Sequence, residues 1–221
     1  MADLLPIFPL PNVVLFPNVF LPLHVFEPRY REMVADALAA DRLLGMALLR
    51  PGWESDYEGR PPVYPTGCSG VITHAERMSD GRYNIVLRGV ERFRILAEDN
   101  ARSYRRASIE PLREGRLTAD DRLQIRQCRT RLESMLSHSI DQTRGPRDAP
   151  AAAGGRSDVG LPASMSDEDL VNALAQYLDL EPVEKQALLE RDGLLERCRS
   201  LIELLEMKVI VAHRAWSAGS H

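Results

Sequence analysis

The chain has 221 residues, 44% of them apolar and 27% charged, with a formal net charge of −4. That length is enough for a sizeable core, and the near-balanced charge excludes a whole-chain attraction to nucleic acid or to anionic membrane. Cys68, Cys128 and Cys198 stand 60 and 70 residues apart with no C-x-x-C pair, which excludes a disulfide framework and a zinc knuckle and reads as three buried thiols.

Residues 8–30, FPLPNVVLFPNVFLPLHVFEPRY, hold five prolines and four phenylalanines. Asp3 stands where a secretory leader carries basic residues, and Pro6, Pro9, Pro11, Pro17 and Pro22 interrupt any helical apolar segment, so a signal peptide is not expected. No run reaches the roughly 20 apolar residues of a membrane-spanning helix. Short aliphatic and aromatic runs separated by Pro and Gly predict strands, with the prolines at strand ends or on an edge because proline has no N–H for a ladder. Pro28 suits the first position of a helix, in which Tyr30, Met33, Val34, Ala37 and Leu38 share one face.

Residues 50–67, RPGWESDYEGRPPVYPTG, follow neither the helical nor the strand period and predict a long irregular loop carrying Trp53, Tyr57 and Tyr64. Beyond it, Asp80-Gly81 is a tight-turn dipeptide between GVITHAERM and the alternating run beginning at Tyr83, which predicts a hairpin. Residues 1–116 therefore read as a small closed or partly open barrel.

From residue 117 the texture is helical, to about 216. Thr118 with Asp121 forms a capping pattern ahead of Ile125, Cys128, Leu132, Met135 and Leu136, and this helix is expected to end near His138. Residues 141–163 draw 12 of 23 positions from Gly, Pro and Ala, and read as a flexible insertion. Ser166 with Asp169 opens a second helix, Pro182 a third that Gly193 closes, and the last carries a stripe of Cys198, Leu201, Ile202, Leu205, Val209, Ala212 and Trp216.

Several chemistries lack their residues. The only lysines, Lys185 and Lys208, follow no glycine-rich loop and accompany no recognisable nucleophilic serine, so neither an ATPase nor a Ser-Lys hydrolase is expected. GCSG at 67–70 is not the G-x-S-x-G of a nucleophile elbow. His24, His74, His138, His213 and His221 show no metal-binding spacing, and no metal or cofactor is expected. Cys68 and His74 are the one nucleophile and base that a cryptic hydrolase would use. Arg88, Arg92, Arg94, Arg102, Arg105 and Arg106, near Phe93 and Tyr104, raise nucleic-acid binding. Glu91, Glu98 and Asp99 interleave them, and residues 1–118 carry equal numbers of basic and acidic side chains, so a self-paired strand face ranks first.

LPIFPLPNVVLFPNVFLPLHVFEPRYREMV resembles the opening of the amino-terminal domain of Lon proteases. YNIVLRGVERFRIL resembles that domain's later hairpin, with a turn at Gly89, Val90, Glu91 and Arg92, and residues 184–206 are similar to its helical part. The resemblance implies an α+β fold: a PUA-like six-stranded β pseudo-barrel with one packed helix, followed by an α-helical bundle. It also implies a cytoplasmic, non-catalytic protein-binding module, because the ATPase and peptidase modules of a full Lon protease have no counterpart between residues 1 and 221. The expected partners are unfolded or apolar protein segments or a protease, with homo-oligomerisation left open and nucleic acid ranked below protein. Phe20 and Tyr30 at the junction of barrel and helix, with Trp53, Tyr57 and Tyr64 in the loop, are the expected contact residues, and an open strand edge is a further docking place.

Overall fold

A computed structural model describes residues 4–57, 59–143 and 165–218, with side chains up to residue 137 and between 165 and 211. Six strands and five α-helices follow one another as β1 (Leu5–Leu10), β2 (Phe20–Val25), α1 (Pro28–Ala39), β3 (Leu43–Leu48), β4 (Thr66–Arg77), β5 (Tyr83–Asp99), β6 (Arg105–Pro111), α2 (Ala119–Thr143), α3 (Asp167–Tyr177), α4 (Pro182–Leu189) and α5 (Leu194–Ala218). The fold is α+β. The sheet order is β2-β5-β4-β3-β1-β6, and a further β5–β6 pairing closes five of the strands into a ring.

The 17-residue β5 makes that closure possible. On one side it pairs with β4; on the other its first half, from Tyr83 to Arg88, pairs with β2 and its second half, from Phe93 to Asp99, pairs with β6. The strand changes partner around Gly89, whose N–H bonds Val19 O and whose carbonyl accepts from Asn18 N–H. A Cβ there would lie 2.0 Å from Phe16 O, so the backbones meet at a distance only glycine permits. Gly89, Val90, Glu91 and Arg92 accordingly lie inside β5, which corrects the turn expected at these residues. The hairpin itself is at Asp80-Gly81 as expected, with Gly81 at φ 83° and Met78 and Arg82 joined across it.

The prolines depart from expectation in an instructive way. Pro6 and Pro9 fall inside β1, not at its ends. There β6 pairs over Leu5–Ile7 and β3 over Ile7–Leu10, so each proline sits where β1 is paired on one side only. Pro22 falls inside β2, which is the edge of the sheet. A missing N–H is harmless in both settings.

Inside the ring, Leu5, Ile7, Ala47, Phe93 and Ala107 form a buried cluster. Helix α1 lays its expected face on this unit, with Tyr30, Met33, Val34 and Ala37 buried and Pro28 in the first turn. Phe8 packs on Tyr30 with ring centroids 4.6 Å apart.

The division of the chain differs from a single boundary at 116. Residues 1–115 group with 172–192, and residues 116–171 group with 193–221. Buried polar pairing explains why 172–192 belong with the barrel. Asn172 Nδ2 donates to Pro17 O, Gln176 Oε1 accepts from Phe16 N–H, and Gln186 Nε2 donates to Thr66 O. Arg92 Nη1 donates to Leu189 O at 3.0 Å and to Arg191 O at 2.6 Å. Each of these removes a buried donor or acceptor from the unsatisfied state.

In the second unit, Gln124 meets Arg199 and Arg131 meets Glu206. Each pair spans the same sequence offset, so α2 and α5 run in the same direction. Ile125, Leu132, Cys198 and Leu201 are buried there. Thr118 and Asp121 cap α2 reciprocally as expected, but α2 runs on to Thr143, past the expected end near His138. Beyond Thr143 the expected insertion at 141–163 lies outside the described residues, as do the side chains of Ala212 and Trp216. Val209, expected in the α5 stripe, is exposed.

Candidate functional site

The five expected contact residues do not form one surface. Tyr30 is 4% exposed, which corrects its assignment as an aromatic contact: its ring is core, held by Phe8 on one side and by the Arg29 guanidinium 4.7 Å from its centroid. Tyr64 is half-buried, with Arg50 stacked 5.5 Å from its ring. Trp53 and Tyr57 are half-buried and meet edge to face at 5.4 Å in and beside the short 3-10 turn of residues 53–56. Phe20 is 49% exposed at the start of β2.

Loop 50–65 is pinned to the start of α1 by a compact polar cluster. Tyr57 hydroxyl donates to Glu27 Oε1, Arg29 Nε donates to Glu27 Oε2 at 3.0 Å, and Arg29 Nη2 donates to Tyr57 O at 3.2 Å. The Arg29 guanidinium also lies 5.1 Å from the Tyr57 ring centroid. Burial and the Glu27 carboxylate push the Tyr57 phenol above its ordinary value. Burial alone would lower Arg29, but the facing Tyr30, Glu27 and Tyr57 oxygens hold it above its usual value.

Two depressions open on either side of this cluster and share Arg29 and Tyr57. One is shallow, about 420 Å³, and is walled by Phe26, Glu27, Pro28, Arg29 and Tyr57. Phe26 is 60% exposed there. The other is a cavity of about 200 Å³ where Arg60, Tyr104 and Arg105 join Arg29, Tyr30 and Tyr57. Sequence reasoning missed Phe26, although a signal existed. Positions 20, 22 and 24 of β2 face outward, His24 marks that face as wet, and Phe26 continues the alternation.

The free edge of β2 offers little to an added strand. Pro22 has no N–H, and the Phe20 carbonyl accepts from the Tyr177 hydroxyl at 2.9 Å, so two of its groups are already blunted. The arginine series is largely self-paired: Arg92 with Glu114, Arg94 with Glu110, Arg102 with Glu32 and Asp36, Arg105 with Glu98 and Arg106 with Asp99. Arg92 and Arg105 are also buried. Such a face presents no basic stripe to a phosphate backbone.

Cys68 is buried and His74 is exposed, six residues along the same strand. At roughly 3.3 Å per residue they stand about 20 Å apart, far beyond proton-transfer reach. Among the described residues no cluster of three His, Cys, Asp or Glu side chains is arranged to hold a metal, and no helix is long and apolar enough to cross a membrane.

Comparison with known proteins places this geometry. The family model described as the ATP-dependent protease La (LON) substrate-binding domain matches residues 4–207. Lon protease 2 of Myxococcus xanthus is 28% identical over 93% of this chain and 24% of its own length. Lon protease of Anaeromyxobacter dehalogenans is 29% identical over 92% of this chain and 23% of its own length. The chain thus spans about a quarter of these relatives. Among solved structures, the N-terminal domain of Mycobacterium avium complex Lon protease superposes with a TM-score of 0.63 at 20% identity, covering 92% of this chain and 98% of that one. The Lon N-terminal domain protein from Xanthomonas campestris gives 0.58 at 23% identity, over 91% and 98%. At these identities the solved structures speak to the fold.

Proposed function

Because this chain belongs to the ATP-dependent protease La (LON) substrate-binding domain family, we propose that its barrel unit is a non-catalytic module that binds extended, apolar segments of unfolded protein. The observation that carries this reading is Phe26, a large aromatic standing 60% exposed over a depression that also holds Pro28 and Tyr57. Covering a phenylalanine removes apolar surface from water at roughly 25 cal/mol per Å², so an apolar client side chain seated against it gains directly. Tyr57 and Arg29 beside it are residue types that dominate binding surfaces, and both are already held in place by Glu27, so little ordering entropy opposes binding. Client binding runs through side chains and not through strand addition, since the edge of β2 is blunted.

The test is titration of a labelled polypeptide that cannot refold, reduced and carboxymethylated, against wild type and Phe26→Ser. The variant is expected to bind at least about fivefold more weakly, as a central aromatic contact would, with an unchanged melting temperature. Equal binding by both proteins, or no binding by either, removes the reading.

A further inference from the structure

The cysteines stand far apart in the sequence, but the fold brings two of them together. Cys128 of α2 and Cys198 of α5 belong to the same unit, residues 116–171 with 193–221. Their thiols meet closely enough to hydrogen-bond. Helix packing puts them there. Ile125 and Leu132 are buried on α2 to either side of Cys128, and Leu194 and Leu201 are buried on α5 to either side of Cys198. Each cysteine therefore lies in the middle of its helix's apolar face. Gln124 with Arg199 and Arg131 with Glu206 join α2 to α5 before and after Cys128.

The two thiols are not equivalent. The sequence reads both as buried, but only Cys198 is; Cys128 is half-buried, within reach of solvent. Burial and the Cys128 thiol beside it raise Cys198 above the ordinary thiol range, and the Asp167 carboxylate acts in the same direction. Cys198 is thus protonated and shielded, and an oxidant arriving from solvent meets Cys128 first. Cys68 is buried in β4 of the other unit and serves as an internal reference.

We propose that Cys128 and Cys198 form an oxidation site, where a hydroperoxide converts the thiol pair to a disulfide that ties α2 to α5. Cys128, as its thiolate, attacks the peroxide; the O–O bond breaks, giving the Cys128 sulfenic acid and water, or an alcohol where the peroxide is organic. The Cys198 sulfur then attacks the sulfenic sulfur and forms the S–S bond, while hydroxide leaves and takes the Cys198 proton as water. Two electrons pass from two thiols to one hydroperoxide, and a dithiol reverses the change by exchange. Folding has already placed the sulfurs side by side, so the second step is intramolecular and outruns further oxidation of Cys128. The bond closes the chain from 128 to 198, and cross-links across long loops restrict the unfolded chain most. This site belongs to the helical unit and does not depend on client binding by the barrel.

The experiment uses the full chain, reduced and then treated with hydrogen peroxide, unfolded in N-ethylmaleimide and weighed by mass spectrometry. Oxidised protein should carry one adduct where reduced protein carries three, and peptide mapping should join Cys128 to Cys198 with Cys68 alkylated. We expect the cross-link to form at least about tenfold faster than Cys68 is lost, and dithiothreitol to restore all the thiols. Cys198→Ser should stop at a Cys128 sulfenic acid that dimedone traps. Cys128→Ser, at the half-buried position, tests the pair without disturbing the core and should give no cross-link. Amide exchange in α2 and α5 should slow by about tenfold in oxidised wild type and stay unchanged in peroxide-treated Cys128→Ser. Three adducts after prolonged peroxide, a disulfide that includes Cys68 or joins two chains, or a Cys128 sulfinic acid without the cross-link would overturn the proposal. So would a cross-link that leaves exchange in α2 and α5 as it was, because the bond would then form only in locally opened chains.

Discussion

The Tyr57 hydroxyl donates to Glu27 Oε1, and so ties the tip of loop 50–65 to the residue immediately ahead of α1. Without that bond the loop would be anchored there mainly by the Arg29 contact to Tyr57 O. Tyr57→Phe keeps the ring edge to face with Trp53 and removes the bond alone. We expect a loss of about 1 kcal/mol, at the low end for a bond to a charged acceptor because the site is partly wet. Urea unfolding measures the loss, and hydrogen exchange should show faster opening confined to residues 50–65. Exchange that rises equally across the barrel would show that the bond does not act locally.

Arg92 serves the barrel unit in a different way. It is 3% exposed and donates to two carbonyls at the end of α4, Leu189 O and Arg191 O, while Glu114 holds its other nitrogen at 3.1 Å. Arg92→Met removes these contacts at once and takes a donor from two carbonyls, at a cost of about 3 kcal/mol. Glu114→Gln should cost much less, because Glu114 is partly solvated and its amide still accepts. Chemical denaturation of the two variants side by side tests the order, and equal losses would contradict it.

Gly89→Ala asks whether the partner change in β5 depends on close backbone approach. The added Cβ would press on Phe16 O at 2.0 Å, with Phe16 C at 2.8 Å. Neither atom belongs to a flexible side chain, so relief requires β5 or the 16–19 segment to move. A destabilisation of about 2–3 kcal/mol is expected, as for other overpacked sites. Unfolding at unchanged denaturant midpoint would mean that the segment shifts freely.

The features set by local chemistry could be read in the sequence. The stripe from Tyr30 to Ala37, the Asp80-Gly81 turn and the Thr118–Asp121 cap each depend on a few neighbouring residues, and each is where the pattern put it. Features set by which strand lies on which side could not be read. Pro6 and Pro9 stand inside β1 because β6 and β3 cover different halves of it, a fact of topology. The grouping of 172–192 with the barrel rests on Asn172, Gln176 and Gln186 meeting backbone groups more than 100 residues away. At the site, Trp53 and Tyr57 were visible as large aromatics in a loop rich in Pro and Gly. Tyr30 lies on the buried face of α1, and a residue there cannot also offer its ring to a partner.

Alkaline pH should loosen the contact between α1 and the 100–105 turn through Tyr104. Its hydroxyl donates to Asp36 Oδ2 at 2.7 Å, and burial together with that carboxylate pushes the phenol up to about 12. An unfolded tyrosine titrates near 10. The folded value is the higher one, so the contribution is fully present below about pH 10 and is lost progressively as pH rises toward 12. Tyr57 and Tyr30 shift in the same direction, so wild type alone cannot isolate Tyr104. The difference between wild type and Tyr104→Phe can. The variant should be less stable at pH 8, and the gap in urea midpoint should shrink between pH 10 and 12. A gap that stays constant across that range would show that the Tyr104–Asp36 bond is not coupled to folding.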